Sequence, residues 1–373
     1  MNKLPSPKRT SPKANSLYLH IPFCHHLCHY CDFPKMLYDE KMAFSYLDNL
    51  FKELDSYHID KVATIYVGGG TPSALNDDLF ERLLKQIQPY LAPSGEFTVE
   101  ANVEQLSAVK LILMRRYGVN RLSIGAQSTD DEMLKNMNRK HTFSDVQKAV
   151  EQARGLGFNN INLDLIYGVP SQSETMLRTD IKRLLELNPE HLSVYSLTIH
   201  PGTIFYQRGC NEQNEDDSRR HYDIILEELR RAGYIRYEVS NFAKPGHMAR
   251  HNLTYWRNEP YYGVGLGAAG FLGGVRYENT RNMSKYLQGV TKQGEERLSK
   301  EEDEKYFWML NLRLEDGFAI SEYVRRYGEQ ALADRLAIFR DTIKAGLMLK
   351  SNGRIRLSDD GLMILDRILL LII

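Results

Sequence analysis

Three of the four cysteines in this 373-residue chain fall within eight residues, Cys24-His25-His26-Leu27-Cys28-His29-Tyr30-Cys31, at C-x3-C-x2-C spacing. A single short loop at this spacing can turn three thiolates inward. Three soft sulfur donors suit a cubane [4Fe–4S] cluster. The fourth iron is then left without a protein ligand from the loop, and an open iron is where an external molecule chelates. Zinc is the competing reading: Cys₃His is a legitimate tetrahedral set, and His25, His26 or His29 could complete it. However, a second knuckle at zinc spacing is missing, and Cys210 is remote and unpartnered. A disulfide is a poorer reading still.

A second chemical candidate is Gly68-Gly69-Gly70-Thr71-Pro72, which follows an apolar run. Without Cβ atoms the backbone can approach a ligand closely and adopt positive φ, or simply turn tightly. A third is His251-Asn252-Leu253-Thr254-Tyr255-Trp256. On residue chemistry alone, His251 reads as a satisfied loop or core histidine and Trp256 as core.

These groups must be positioned by an alternating pattern. Short β-rich runs at 17–23, 63–69, 96–102, 121–127, 160–167 and 191–199 are rich in Val, Ile, Leu and Tyr and nearly continuous, as in buried parallel strands. Helical periodicity fills the gaps at about 40–58, 77–91, 104–117, 130–156 (room for two helices) and 173–187. Six βα units predict a parallel sheet with right-handed crossovers. Chemistry in such a sheet belongs at the carboxyl ends of the strands, where the cysteines, the glycine run, Glu100 and Gln127 fall. Six strands rather than eight leave the barrel incomplete, with a lateral opening that suits a large substrate. Residues 200–290 are less regular, with a helix at 217–233. From 299 onward, helices near 300–312, 320–327 and 329–345 precede two short β runs around Ser351-Asn352-Gly353 and a last helix capped by Ser358. That order reads as a mainly helical, winged-helix-like domain. The expected divisions are a disordered tail at 1–16, a partial barrel at 17–235, an extension at 236–295 and the helical domain at 296–373.

Charge excludes some function classes. Lys+Arg and Asp+Glu are both 48, so no global bias toward nucleic acid or an anionic membrane exists. Arg325, Arg326, Arg335 and Lys344 are scattered, as on a solvated face. Few cysteines, mostly clustered, indicate a reducing compartment and a cytoplasmic location. The apolar run 368–373 is too short to span a bilayer and reads as the end of a packed helix.

The cysteine loop, preceded by a strand and followed by Asp32-Phe33, resembles the signature of the radical S-adenosylmethionine (SAM) enzymes. In that superfamily the open iron binds SAM, and the reduced cluster cleaves it to a 5′-deoxyadenosyl radical. Segments 17–33, 68–73, 118–128, 162–170 and 233–243 narrow the likeness. They resemble the family containing oxygen-independent coproporphyrinogen III dehydrogenase and the haem chaperone HemW. The resemblance implies that Cys24, Cys28 and Cys31 hold the cluster. It also implies that Tyr18, Tyr30, Gly69, Gly70, Thr71, Glu100, Gln127, Arg139 and Asp164 match cluster- or SAM-binding positions. Spacing alone would not single out Glu100, Gln127, Arg139 or Asp164, and a solvated face is a rival reading for Arg139.

Two features separate the branches. The dehydrogenase has a further cysteine two residues beyond the triad, where this chain has Phe33. His251–Tyr255 matches the H-N-x-x-Y motif of the haem chaperones, in which the histidine ligates haem. The resemblance therefore implies a haem chaperone with a [4Fe–4S] cluster, SAM and haem, handing haem to acceptor haemoproteins such as respiratory enzymes. A homodimer is also implied, with membrane contact only through such acceptors. The alternative is the dehydrogenase itself, a radical oxidative decarboxylase of propionates. One departure stands out: the family's Gly-Ala-His is here Gly267-Ala268-Ala269, which removes that histidine from any second haem contact.

Overall fold

A computed structural model describes residues 13–373. The expected tail at 1–16 therefore falls mostly outside the described residues, and its last member, Ser16, already opens the first strand.

Six parallel strands follow one another in both sequence and space: β1 (Ser16–Ile21), β2 (Val62–Gly69), β3 (Leu91–Ala101), β4 (Arg121–Gln127), β5 (Ile161–Tyr167) and β6 (His191–Ser196). Between them run α1 (Glu40–Ser56), α2 (Asp77–Ile87), α3 (Ala108–Arg116), α4 (Asp131–Asn136), α5 (Phe143–Gly155) and α6 (Glu174–Glu186). After β6 come α7 (Glu215–Arg231), β7 (Ile235–Arg236), β8 (Asn241–Ala243), α8 (Arg250–Trp256) and β9 (Tyr262–Val264). The sheet order is β9-β1-β2-β3-β4-β5-β6-β8-β7, so β9 and β7 are its outermost strands. This is a partial (β/α)6 TIM-type barrel, open along one side.

Helix ends follow local chemistry. Asp39, Asn76, Ser107, Asp130 and Ser173 cap α1, α2, α3, α4 and α6, each accepting a backbone N–H from three residues on. The 130–156 stretch is two helices, because Thr142 and Asp145 form a capping box that starts α5 afresh. The 104–117 stretch begins as a 3-10 turn at Val103–Gln105, and Ser107 starts α3. The sequence His251–Trp256, read without a helix, is α8.

The strands also differ from the expected uniform apolar run. Leu17, Leu19, Ile65, Val67, Phe97, Val99, Leu122, Ile124, Leu163 and Leu192 point outward into the core beneath the helices. The interior rows are polar: Ser16, Thr64 and Glu96 share one register, and Tyr18, Tyr66, Thr98 and Arg121 the next. Glu100, Ser123, Asn162 and His191 form the row above. An interior bordering a cavity has hydrogen-bonding groups to satisfy, whereas a closed barrel fills its centre with aliphatic side chains.

Downstream, Ala269–Leu272, Val275–Asn279 and Lys292–Arg297 make an antiparallel sheet. Helices Lys300–Asn311, Ile320–Tyr327 and Glu329–Ile338 then surround a second core that includes Phe307, Trp308, Phe318 and Tyr323. A three-stranded sheet of Phe318–Ala319, Arg354–Leu357 and Met348–Ser351 completes it, in line with the winged-helix-like expectation. Ile368, Leu369 and Ile372 bury into this core. Among the described residues no helix is long and apolar enough to cross a membrane.

Candidate cluster and SAM site

The carboxyl ends of β1 to β6 surround a cavity of about 490 Å³. Cys24, Cys28, Cys31, Tyr30, Gly69, Gly70, Thr71, Glu100, Gln127, Arg139 and Asp164 all line it. The three thiols are therefore brought together, beside the glycine turn.

The cysteine loop is pinned on several sides. Met36 N donates to Pro22 O (2.8 Å) and Tyr38 N to Cys24 O (2.9 Å). His29 N donates to Met137 O (3.1 Å), and Asn138 Nδ2 to Leu27 O (2.7 Å). His25 and His29 are engaged outside the cavity, while His26 borders it beside Glu104. His25 Nε2 lies 3.0 Å from Ala74 O, His26 Nε2 3.3 Å from Glu104 Oε1, and His29 Nδ1 2.8 Å from Asn136 O. Among the described residues no three His, Cys, Asp or Glu side chains converge as a single-ion site. Three thiols that share a cavity suit a cluster, where each sulfur takes a different iron.

A polar chain links two of the thiols across four elements. Thr71 Oγ1 is 3.6 Å from Cys24 Sγ and accepts from Asn102 Nδ2 at 2.8 Å. Asn102 Oδ1 accepts from Arg139 Nη2 at 2.8 Å, and Arg139 Nη1 lies 3.6 Å from Cys28 Sγ. Arg139 is 6 % exposed, so it is no solvated face. Burial pushes the Cys24 thiol up to about 11, against the Thr71 hydroxyl. Burial also raises Cys31, and the Lys35 ammonium opposes it. Lys35 Nζ donates to the Cys31 carbonyl.

Further along the cavity stand two carboxylates. Tyr66 Oη donates to Glu100 Oε1 (2.7 Å) and Gly69 N to Glu100 Oε2 (3.0 Å). Burial pushes Glu100 up to about 7 and Asp164 up to about 6, each partly offset by hydrogen bonds. Two glycines make this packing possible. A Cβ on Gly68 would sit 2.7 Å from the Glu100 carboxyl carbon, and Gly69 has φ +115° with His20 directly against it. Gln127 adopts φ +69° at the end of β4, beside a register shift, and so faces the cavity. Strain of this kind at a non-glycine residue clusters at ligand sites.

The matching family model is the radical SAM superfamily, over residues 18–184. Haem chaperone HemW of Lactococcus lactis is 38% identical over 94% of both chains. The Bacillus subtilis HemW is 37% identical over 93% of this chain and 96% of its own length. The chain belongs to the HemW family. A solved structure of Escherichia coli coproporphyrinogen III oxidase (HemN), described as a radical SAM enzyme, superposes with a TM-score of 0.83 at 25% identity. It covers 97% of this chain and 90% of that one.

Radical SAM membership implies a [4Fe–4S] cluster and SAM, and the donor set here fits both. Three thiols, each with a hydroxyl or cationic neighbour, would hold the cluster. Glu100, Asp164, Gln127 and Arg139 offer acceptors, an amide and a cation for a ribose and an amino-acid group. When bound, this pair supplies one-electron reductive chemistry. The protein's own part is to enclose, orient and charge-match the ligand.

Two expected residues stand outside the cavity. Tyr18 lies one row below, its hydroxyl 2.9 Å from His20 Nδ1 and its ring 6.1 Å from Tyr66. It supports the lining rather than forming it. The other is His251, expected as a haem ligand. It is 0 % exposed, on α8, which plugs the amino end of the barrel. Its Nδ1 is 2.7 Å from Thr64 Oγ1 and its Nε2 2.7 Å from Tyr255 Oη. Burial pushes it down to about 3. No ring nitrogen is free for iron in this conformation. Sequence reasoning in turn missed Tyr66 and Lys35. Tyr66 sits at an inward-facing strand position, a signal visible once the strand's apolar outward residues fix its phase.

Proposed function

We propose that this chain is a haem chaperone: it binds haem and passes it to acceptor haemoproteins, with a [4Fe–4S] cluster and SAM held in the barrel cavity. The observation behind this reading is near full-length identity of 37–38% to haem chaperones from two organisms. Phe33, in place of a further cysteine, agrees with it. Respiratory enzymes as acceptors, a homodimer and a cytoplasmic location belong to the same proposal. Haem ligation by His251 would require a rearrangement that exposes the ring and frees one nitrogen, because Thr64 holds Nδ1 and Tyr255 holds Nε2.

A second reading, radical decarboxylation of coproporphyrinogen III, is favoured by the likeness to HemN and by a cavity with a full set of polar groups. The two separate in one experiment. Anaerobically reconstituted protein is given SAM, a reductant and coproporphyrinogen III, and in parallel is titrated with haemin and mixed with an apo-haemoprotein. The chaperone reading predicts a haem absorbance band, transfer to the acceptor and no vinyl product. Turnover to a vinyl porphyrin would overturn it.

A further inference from the structure

One side chain below the cavity belongs to two neighbourhoods. Tyr66 projects inward from β2 and borders the cavity. Its hydroxyl donates to Glu100 at 2.7 Å. The back of its ring packs on His251, with centroids 5.2 Å apart and planes at 31°. Glu100 thus has two donors. One is the Gly69 backbone, fixed by the strand end. The other is a side chain whose place depends on what packs behind it. Behind it, His251 is held through its ring by Thr64 and Tyr255, and through its backbone N–H by Glu96 at 3.0 Å. Thr254 on the same helix meets Ser16 Oγ at 2.8 Å, tying α8 to the start of β1.

We infer that Tyr66 is a positioning residue for Glu100, and that α8, through His251, braces Tyr66 and so sets SAM affinity from outside the cavity. This rests on the cavity being a SAM site. The physical reason is the low tolerance of an enclosed carboxylate for a lost donor. Groups facing Glu100 are Asp164, which pushes it up, and Arg121, the Gly69 N–H and the Tyr66 hydroxyl, which pull it down. Tyr18 and Tyr195 also face it as neutral phenols. Removing the Tyr66 hydroxyl therefore moves Glu100 ionisation to higher pH. An ionised Glu100 is the stronger acceptor for ribose hydroxyls. Loosening His251 has the same consequence by a longer route. The histidine of the H-N-x-x-Y motif thereby acquires a role at the SAM site that needs no contact with haem.

The test uses the full chain, reconstituted anaerobically. SAM binding is followed by equilibrium dialysis and by the change SAM makes in the electron paramagnetic resonance spectrum of the reduced cluster, between about pH 6 and 9. Tyr66→Phe keeps the ring and removes only the hydroxyl. It is expected to retain wild-type iron and sulfide, weaken SAM binding about tenfold at neutral pH, and recover affinity as pH rises. His251→Asn is expected to weaken SAM binding about threefold or more, whatever happens to haem. Wild-type SAM affinity and pH profile in Tyr66→Phe would overturn the inference. Haem loss in His251→Asn with intact SAM binding would overturn the bracing part. A wild-type protein that holds the cluster but binds no SAM would remove the reading beneath both.

Discussion

The residues with the clearest energetic signature are Glu100 and Asp164. Burial holds the folded-state Glu100 at about 7 against an ordinary 4.5, and Asp164 at about 6 against 3.8. The folded protein thus binds more protons than the unfolded chain between about pH 4 and 7, so ligand-free stability falls as pH rises through that window. Glu100→Gln should flatten the profile, gaining about 1–3 kcal/mol at pH 8 and little near pH 4.5, as read by denaturant midpoints. The same variant should bind SAM more weakly. Its stability and its binding thus move in opposite directions, as expected of a group placed for ligand rather than fold. The thiols were legible from spacing alone. Glu100, Gln127, Arg139 and Asp164 were not: the three charged ones are each one among 48 acids or 48 bases, and Gln127 is an ordinary amide at a strand end. Only the sheet shows that they share a cavity. Arg139 illustrates the limit: its neighbours Asn138 and Lys140 are exposed enough to suggest a surface, yet its own guanidinium turns inward to Gly125 O at 2.8 Å.

Among the elements, the turn after β2 and helix α8 decide the most. Gly69 has positive φ and no room for a Cβ, since His20 ring atoms would lie 2.6–2.7 Å away. His20 is itself fixed between Tyr18 and Pro34 O, the residue just beyond the cysteine loop. Gly69→Ala should cost about 2–4 kcal/mol and lower cluster occupancy after reconstitution, because the displaced imidazole pushes on that loop. Helix α8 was invisible to periodicity: seven residues make barely two turns, and its inward face is His251 and Thr254 rather than an aliphatic stripe. The strands were found within a few residues, but their interior polarity was not. A near-continuous apolar composition hid the alternation that the register later showed. His251→Ala should cost about 2–4 kcal/mol, since it strands Thr64 and Tyr255 and leaves a void in the barrel floor. A thermal melt of the ligand-free protein measures that directly.

For the whole molecule, the barrel and the helical C-terminal part keep separate cores but share two carboxylates on one buried arginine. Arg236 on β7 is 4 % exposed and bonds Glu315 (Nε at 2.6 Å) and Asp359 (2.6 Å), the latter in the first turn after the Ser358 cap. Arg236→Met should cost about 1–3 kcal/mol and lower the cooperativity of unfolding, because two half-exposed carboxylates lose a common cation. That residue was unremarkable in sequence, and only the docking of the two parts gives it meaning. At the mouth of the open barrel the three cysteines are proposed to hold a [4Fe–4S] cluster, with the groups proposed to bind SAM across the same cavity. Iron and acid-labile sulfide analysis of the anaerobically reconstituted chain, alongside single Cys24→Ala, Cys28→Ala and Cys31→Ala variants, tests it most directly. About four iron and four sulfide per wild-type chain, falling sharply in each variant, is the predicted result. Stoichiometric zinc without sulfide, or iron and sulfide that survive loss of any one of the three cysteines, would contradict it.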